Sequence, residues 1–199
     1  MGEQGVANGR YRESCRSDSR EDARLIARIC ARDLQAFEEL YRNYHPRLSR
    51  FLTNLVHRPQ MVEEVLDDTM LVVWNRPDSF NGASKLSTWI FAIAYRKALQ
   101  MLRRRDEPIE VKNAEARESL DDGPEQQVGQ HRVQEALLSA ISELSPDHRA
   151  VIDLTYFHEI GYREIAEIMD CPVDTVKTRM FHARRHLKRI LAGELGDWL

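Results

Sequence analysis

Residues 162–191 read YREIAEIMDCPVDTVKTRMFHARRHLKRIL, and the pattern of this stretch decides the fold. A short apolar-periodic run from Tyr162 to Met169 leads into the turn Asp170-Cys171-Pro172, and a long periodic run follows from Val173. Short helix, tight turn and longer helix make the helix-turn-helix plan. The spacing predicts that Ile165, Ala166 and Met169 pack against Val176 and Met180, with Ala166 small where the helices approach closely. Asp170 stands where the turn needs left-handed backbone, which aspartate tolerates better than most side chains. Cys171 falls at the apolar position of the turn and reads as a small buried hydrophobe. The second helix then presents Asp174, Thr175, Lys177, Thr178, Arg179, Phe181, His182, Arg184 and Arg185. Early residues of such a helix reach base edges in a major groove, and later Arg and Lys hold phosphates.

Upstream, the same helical period recurs. Ser145-Pro146-Asp147 is an N-cap, a first-turn proline and a dipole-matched acid, opening a helix near 146–158 that Gly161 ends. Val133, Ala136, Leu137, Ala140, Ile141 and Leu144 mark a helix before it. Leu86, Trp89, Ile90, Ile93, Ala94, Ala98, Leu99 and Leu102 form another stripe, with a basic run at its C-terminal end. The polar segment 76–85 (RPDSFNGASK) reads as a loop around the turn dipeptide Asn81-Gly82. A helix from Gln60 to Asn75 turns Val62, Val65, Leu66, Thr69, Met70 and Val73 inward and bears Glu63, Glu64, Asp67 and Asp68 on its other face. Leu34 to Leu55 carry apolar residues at intervals of three and four, a pattern that Pro46 should break or kink and Pro59 should close. No strand-like alternation occurs. The fold class is all-α.

The chain has 199 residues, 42% hydrophobic and 31% charged, enough for two small packed domains. No run of about 18 apolar residues offers a membrane span, and the polar start lacks a signal-like apolar core. A cytoplasmic location is expected. Three dispersed cysteines give neither a disulfide framework nor a zinc spacing, and the nine glycines form no phosphate-cradling loop. No metal, no cofactor and no catalysis are expected.

The net charge of −3 hides a segregation. Residues 96–105 carry five bases and no acid, and 177–191 carry six bases and no acid. Between them, 106–130 hold eight acids against Lys112 and Arg117. Two basic stripes around an acidic, Pro- and Gly-containing stretch predict two helical domains on a flexible tether. The expected partition is a disordered tail over 1–24, a domain over 25–105, a linker over 106–130 and a helix-turn-helix domain over 131–192. Glu63/Asp67 and Glu64/Asp68 are like-charged i,i+4 pairs, which repel by ~0.2–0.5 kcal/mol each. A helix carrying such a patch gives up stability, as a ridge reserved for a basic partner would. On these residues alone, an operator-binding helix-turn-helix dimer stays open as a second reading, and a carboxylate metal site as a third.

Taken together, the halves resemble the extracytoplasmic-function sigma factors of the sigma-70 family. FEELYRNYHPRLSRFL and VEEVLDDTMLVVW look like the opening and polymerase-binding helices of region 2. FNGASKLSTWIFAIAYRKALQMLRRR looks like its promoter-melting segment, and the stretch from ELSPDHRAVI to RRHLKRIL looks like region 4. The resemblance implies that Glu63, Glu64, Asp67 and Asp68 dock on core RNA polymerase. It implies that Phe80, Asn81, Gly82, Ser84, Lys85 and Trp89 capture and melt the −10 element, with Arg96, Lys97, Arg103, Arg104 and Arg105 along the backbone. Asp174, Thr175, Lys177, Thr178, Arg179, Phe181, His182, Arg184 and Arg185 would read the −35 element. The partners implied are the bacterial polymerase core, promoter DNA and an anti-sigma factor. The near-neutral net charge adds that the free chain should bind DNA weakly.

Overall fold

A computed structural model describes residues 21–105, 137 and 139–194. Residues 1–20 and the acidic stretch 106–130, expected as tail and linker, lie outside the described residues. Among the described residues there is no strand, and no helix is long and apolar enough to cross a membrane.

The first helix, α1 (21–30), already includes the last residues of the expected tail. Ile26 and Ile29 are buried in it, one turn apart. Arg32 takes left-handed backbone, and Asp33 then caps α2 (Leu34–Val56), accepting hydrogen bonds from the N–H groups of Gln35 and Ala36 at 2.9 and 3.3 Å. Pro46 lies inside α2 without dividing it. Tyr44, Leu48, Phe51, Leu52 and Leu55 stay buried on both sides of the proline, so packing of the stripe outweighs the one lost backbone bond. Left-handed His57 ends α2, and Pro59 occupies the first turn of α3 (Pro59–Asn75), opening the second helix as much as closing the first. All six inward residues expected of α3 are buried. A short 3-10 turn (Pro77–Ser79) and a loop with Gly82 at φ +70° lead into α4 (Leu86–Arg105).

After the undescribed stretch, residues 137 and 139–142 belong to α5. Ser145 caps α6 (Pro146–Tyr156) through the N–H of His148. Gly161 does not end this helix; Phe157 does, and left-handed Glu159 turns the chain so that Gly161 becomes the N-cap of α7 (Tyr162–Ile168). Asp170 is left-handed at φ 50°, with the Cys171 N–H returning to the Ala166 carbonyl at 3.0 Å. Pro172 then admits α8 (Val173–Glu194). Ile165, Ala166, Met169, Val176 and Met180 are all buried, as the helix-turn-helix spacing requires.

Helices α2, α3 and α4 pack together, as do α6, α7 and α8. The two units also pack on each other, α6 against α2 and α7 against α4. Their apolar residues join in one core. The Phe51 and Phe91 rings meet tilted at 56°, with centroids 5.4 Å apart, and the His158 ring from the second unit meets both edge-on at 6.1 and 4.9 Å. Polar groups cross the junction as well. Asn54 Nδ2 donates to Asp153 Oδ1 at 2.6 Å, and Arg149 donates to the Leu55 carbonyl, near the C-terminal end of α2, at 3.0 Å. The α4 helix is consequently buried on two faces, including Phe91, Ala92 and Tyr95, which stand off its expected stripe.

Candidate nucleic-acid interface

Helix α8 sorts its residues by period. Val176, Met180 and Ala183 are buried against α6 and α7, while Lys177, Thr178, Phe181, His182, Arg184 and Arg185 are exposed. Phe181 is 62% exposed, so its ring supports no core and is available to a partner. Asp174 and Lys177 pair at 2.9 Å on the first turn, where Thr175 is half-buried. Arg179 departs from the exposed set: its guanidinium pairs with Asp147 of α6 and donates to Cys171 Sγ at 3.6 Å. Burial pushes the Cys171 thiol up, keeping it protonated in its role as an apolar turn residue.

The loop before α4 is held by local chemistry. Asn81 Oδ1 accepts from the Ala83 N–H at 2.9 Å, while Gly82 adopts left-handed backbone that a side chain would strain. Phe80 and Trp89, both half-buried, face each other at 5.5 Å. Ser84 is half-buried, and Lys85 pairs with Glu164 of α7 at 2.6 Å. Farther along α4, Arg96, Arg103 and Arg104 are exposed on a cleft of about 650 Å³ shared with Tyr95, Leu99, Met169 and Asp170. Arg105 is the last residue of α4.

On α3, Glu63, Glu64 and Asp67 are exposed along one ridge, and half-buried Asp68 pairs with Lys97 at 3.0 Å. The Tyr41 phenol is pushed up by burial and, beyond that, by the charges of Asp67 and Glu63, so the ridge projects a negative field onto its neighbour. Among the described residues no three His, Cys, Asp or Glu side chains group as a metal site, the acidic ridge included.

The fold thus sets the expected −10 group, on α4 and the loop before it, against α7 of the helix-turn-helix unit. It also adds residues that the helical periods did not single out: Tyr95, Asp147, Asp153, His158 and Glu164, all at or beside the junction. Only the offset of Phe91 and Tyr95 from the α4 stripe hinted that a second surface would cover this helix.

The chain's similarity to known proteins is consistent along its length. Residues 40–107 match Sigma-70 region 2, and residues 134–187 match Sigma-70 region 4. The chain is 30% identical over 177 residues to the ECF RNA polymerase sigma-E factor of Haemophilus influenzae, covering 84% of this chain and 93% of that protein. The chain belongs to the extracytoplasmic-function sigma factors of the sigma-70 family. This sigma factor is also 28% identical to the RNA polymerase sigma-H factor of Pseudomonas aeruginosa, over 86% of this chain and 94% of that one. Among solved structures it is similar to the sigma factor RpoE of Bartonella quintana, captured with the anti-sigma factor NepR. The TM-score is 0.60 at 25% identity, covering 78% of this chain and 96% of that one. The fold is shared with CnrH in complex with the cytosolic domain of CnrY, at TM-score 0.63 and 22% identity, over 86% and 97% of the two chains.

A pH response follows from the face behind α8. His148 is held below the ordinary imidazole value of 6.5, first by burial and then by the charges of His182 and Arg179. A depressed folded-state value means that the folded form binds fewer protons than the unfolded one. Its contribution is therefore complete above about pH 6.5 and is lost as the pH falls through and below that value. The unfolding midpoint of the wild-type sigma factor should fall on acidification from pH 7.5 to 5.5, and His148→Gln should flatten that dependence. An equal slope in both proteins would show that His148 does not report this environment.

Proposed function

We propose that this sigma factor is a promoter-specificity subunit of RNA polymerase with no catalytic activity of its own. The observation that carries the proposal is the division of α8: an apolar side sunk into the unit, and an opposite side of Lys177, Thr178, Phe181, His182, Arg184 and Arg185 turned outward. A helix of this kind fits a major groove, with Asp174, Thr175, Lys177, Thr178 and Arg179 near its start and the later bases toward phosphates. This is the −35 reader.

The −10 element falls to the loop from Phe80 to Lys85 and to α4. Taking one base out of a duplex costs a few kcal/mol. Stacking on an aromatic ring returns ~1–3 kcal/mol per base, and the Phe80–Trp89 pair beside the Gly82 turn supplies rings with open space in front of the backbone. Arg96, Lys97, Arg103, Arg104 and Arg105 follow the strands, and Ser84 and Lys85 border the loop. The ridge of Glu63, Glu64, Asp67 and Asp68 is the contact with core polymerase. Sigma factors of this fold are seen with anti-sigma factors, and we extend that form of control, in the cytoplasm, to this chain.

Run-off transcription by core polymerase on a library of random promoters tests the proposal. Addition of the protein should enrich two short sequence elements ahead of shared start sites. A start-site distribution identical to that of core polymerase alone would exclude it. Within the same assay, Lys177→Ala should weaken promoter binding by ~1–3 kcal/mol at one base position if Lys177 reads a base. A uniform loss across the library assigns it to a phosphate instead.

A further inference from the structure

A cleft of about 560 Å³ lies between the start of α6 and the middle of α8. His148, His182, Arg185, His186 and Arg189 line it, and among the described residues Glu143 is the one acid on its wall. With the three imidazoles neutral, the arginines outnumber Glu143 by one charge, and protonation of all three rings would add three more. The rings are held in place without being neutralised. His148 Nδ1 lies 2.8 Å from Ser145 Oγ, a hydroxyl that can donate to the neutral ring or accept from the charged one. The His182 ring faces that of His148 at 6.4 Å. His186 Nδ1 lies 3.4 Å from an Arg189 nitrogen, while its buried Nε2 has no hydrogen-bond partner among the described residues and stands 3.7 Å from Glu143 Oε2. A buried ring nitrogen left in this way calls for an acceptor.

The remaining charges nearby are engaged elsewhere. Asp147 pairs with Arg179, and Arg149 donates to the Leu144 and Leu55 carbonyls. Among the described residues none from α7 lines the cleft. From this arrangement, and resting on the promoter-binding reading above, we infer that the cleft seats a backbone phosphate of DNA and that its imidazoles take up a proton from solvent as the phosphate arrives. His182 and Arg185 belong both to the cleft and to the outward side of α8, so a strand bordering the groove carries its backbone across the mouth of the cleft. Ser145, His148, His186 and Arg189 then join the DNA contact, although the pattern of the reading helix did not single them out.

In the free chain, burial and then the charges of His182 and Arg179 hold His148 low, against the weaker pull of Asp147. A phosphodiester among the rings favours their charged form, as any opposite charge within ~4–6 Å does. Values raised by DNA mean that affinity is greatest below the values of the free chain and is lost as the pH rises through those of the complex. A rise of one unit at one ring corresponds to about a tenfold gain in affinity. The contact therefore tightens on mild acidification, the opposite of the stability of the free protein.

The test uses the full chain, a random-sequence DNA duplex at low salt, and a chelator that keeps metal ions off the paired histidines of α8. Duplex affinity of the wild type should rise about tenfold from about pH 8 to about pH 6. His45→Gln, which removes an imidazole beside Tyr41 on α2, should keep that gain, and His148→Gln/His186→Gln should reduce it to about threefold or less. Ring proton resonances of the wild type, which need no variant to fold, should report titration of His182 and His186 about one pH unit higher with duplex than without it. Equal gains in the wild type and the double variant, or ring titrations that duplex does not move, overturn the phosphate seat and leave promoter binding in place. Inorganic phosphate moving the rings as far as duplex does would make the cleft a general anion site and overturn its assignment to DNA. Failure of the wild type to bind duplex at either pH overturns the promoter reading itself.

Discussion

The double variant Glu64→Lys/Asp67→Lys should eliminate co-elution with core RNA polymerase while its unfolding midpoint stays at or slightly above that of the wild type. Under the proposed docking role the two readouts move apart, because a ridge that suits a basic partner is poor for the helix that carries it. In the wild type, Glu63/Asp67 and Glu64/Asp68 repel across successive turns of α3, and the field reaches Tyr41. Each replacement turns one like-charged i,i+4 pair into an attractive one, worth ~0.2–0.5 kcal/mol on an exposed helix. No buried group is disturbed, since Val62, Val65, Leu66 and Thr69 form the opposite face. Against a basic partner the same changes remove two acceptors and install two repulsions. Truncating one member of a buried interfacial charge pair costs ~2–5 kcal/mol, and reversal costs more, so about a hundredfold loss is a lower bound. Unchanged association would mean that the ridge is simply a solvated face. Lost association with a midpoint several degrees lower would mean that α3 had been damaged, and the docking assignment would fall with it.

How much of this could be read from the amino acids depended on the range of the determining contact. Helix-turn-helix packing was legible because Ile165, Ala166, Met169, Val176 and Met180 lie within sixteen residues and obey one period. The left-handed Asp170 was legible for the same reason: the turn is local and the residue choice narrow. Ser145-Pro146-Asp147 announced α6 through cap and dipole chemistry that acts within one turn. Pro46 misled, because losing one backbone bond is a small local cost and the buried stripe running through it is a larger distributed gain. Gly161 misled because a glycine between two helices can end one or start the next, and Glu159 had already made the turn. Beyond the offset of Phe91 and Tyr95 from the α4 stripe, the junction between the units left no mark in the sequence. Asn54 and Asp153 are 99 positions apart, and Tyr95 and Asp147 are 52 apart. Each of these side chains, considered alone, is an ordinary polar residue on an amphipathic helix. Most candidate site residues were visible as charge and aromatic patterns, yet the acids that hold Arg179 and Lys85 became apparent only in three dimensions.

Phe91 gives that junction its largest single test. Its ring is fully buried, tilted against Phe51 of α2, met edge-on by His158 from the other unit, and covered by the Arg47 guanidinium at 5.5 Å. Phe91→Ala should cost ~3–5 kcal/mol of unfolding free energy, the range for removing a buried aromatic ring and leaving a cavity. Against the ~5–15 kcal/mol that holds a typical domain together, this is a third of the stability or more. Phe91→Leu keeps most of the volume and should cost ~1.5 kcal/mol or less, with loss of the ring–ring contribution of ~0.5–1.5 kcal/mol setting its upper end. The distribution of the loss matters as much as its size. If Phe91 served the first unit alone, hydrogen exchange would quicken in α2, α3 and α4 and leave α6 protected. Because His158 leans on the same ring, and Asp153 Oδ2 lies 3.2 Å from His158 Nε2, the amides from Val151 to Leu154 of α6 should lose protection together with those from Ile90 to Ala94 of α4. Denaturant titration gives the magnitude and native-state exchange gives the reach. A cost no greater than that of Phe91→Leu, or exchange confined to one unit, would mean that the two units touch without sharing a core.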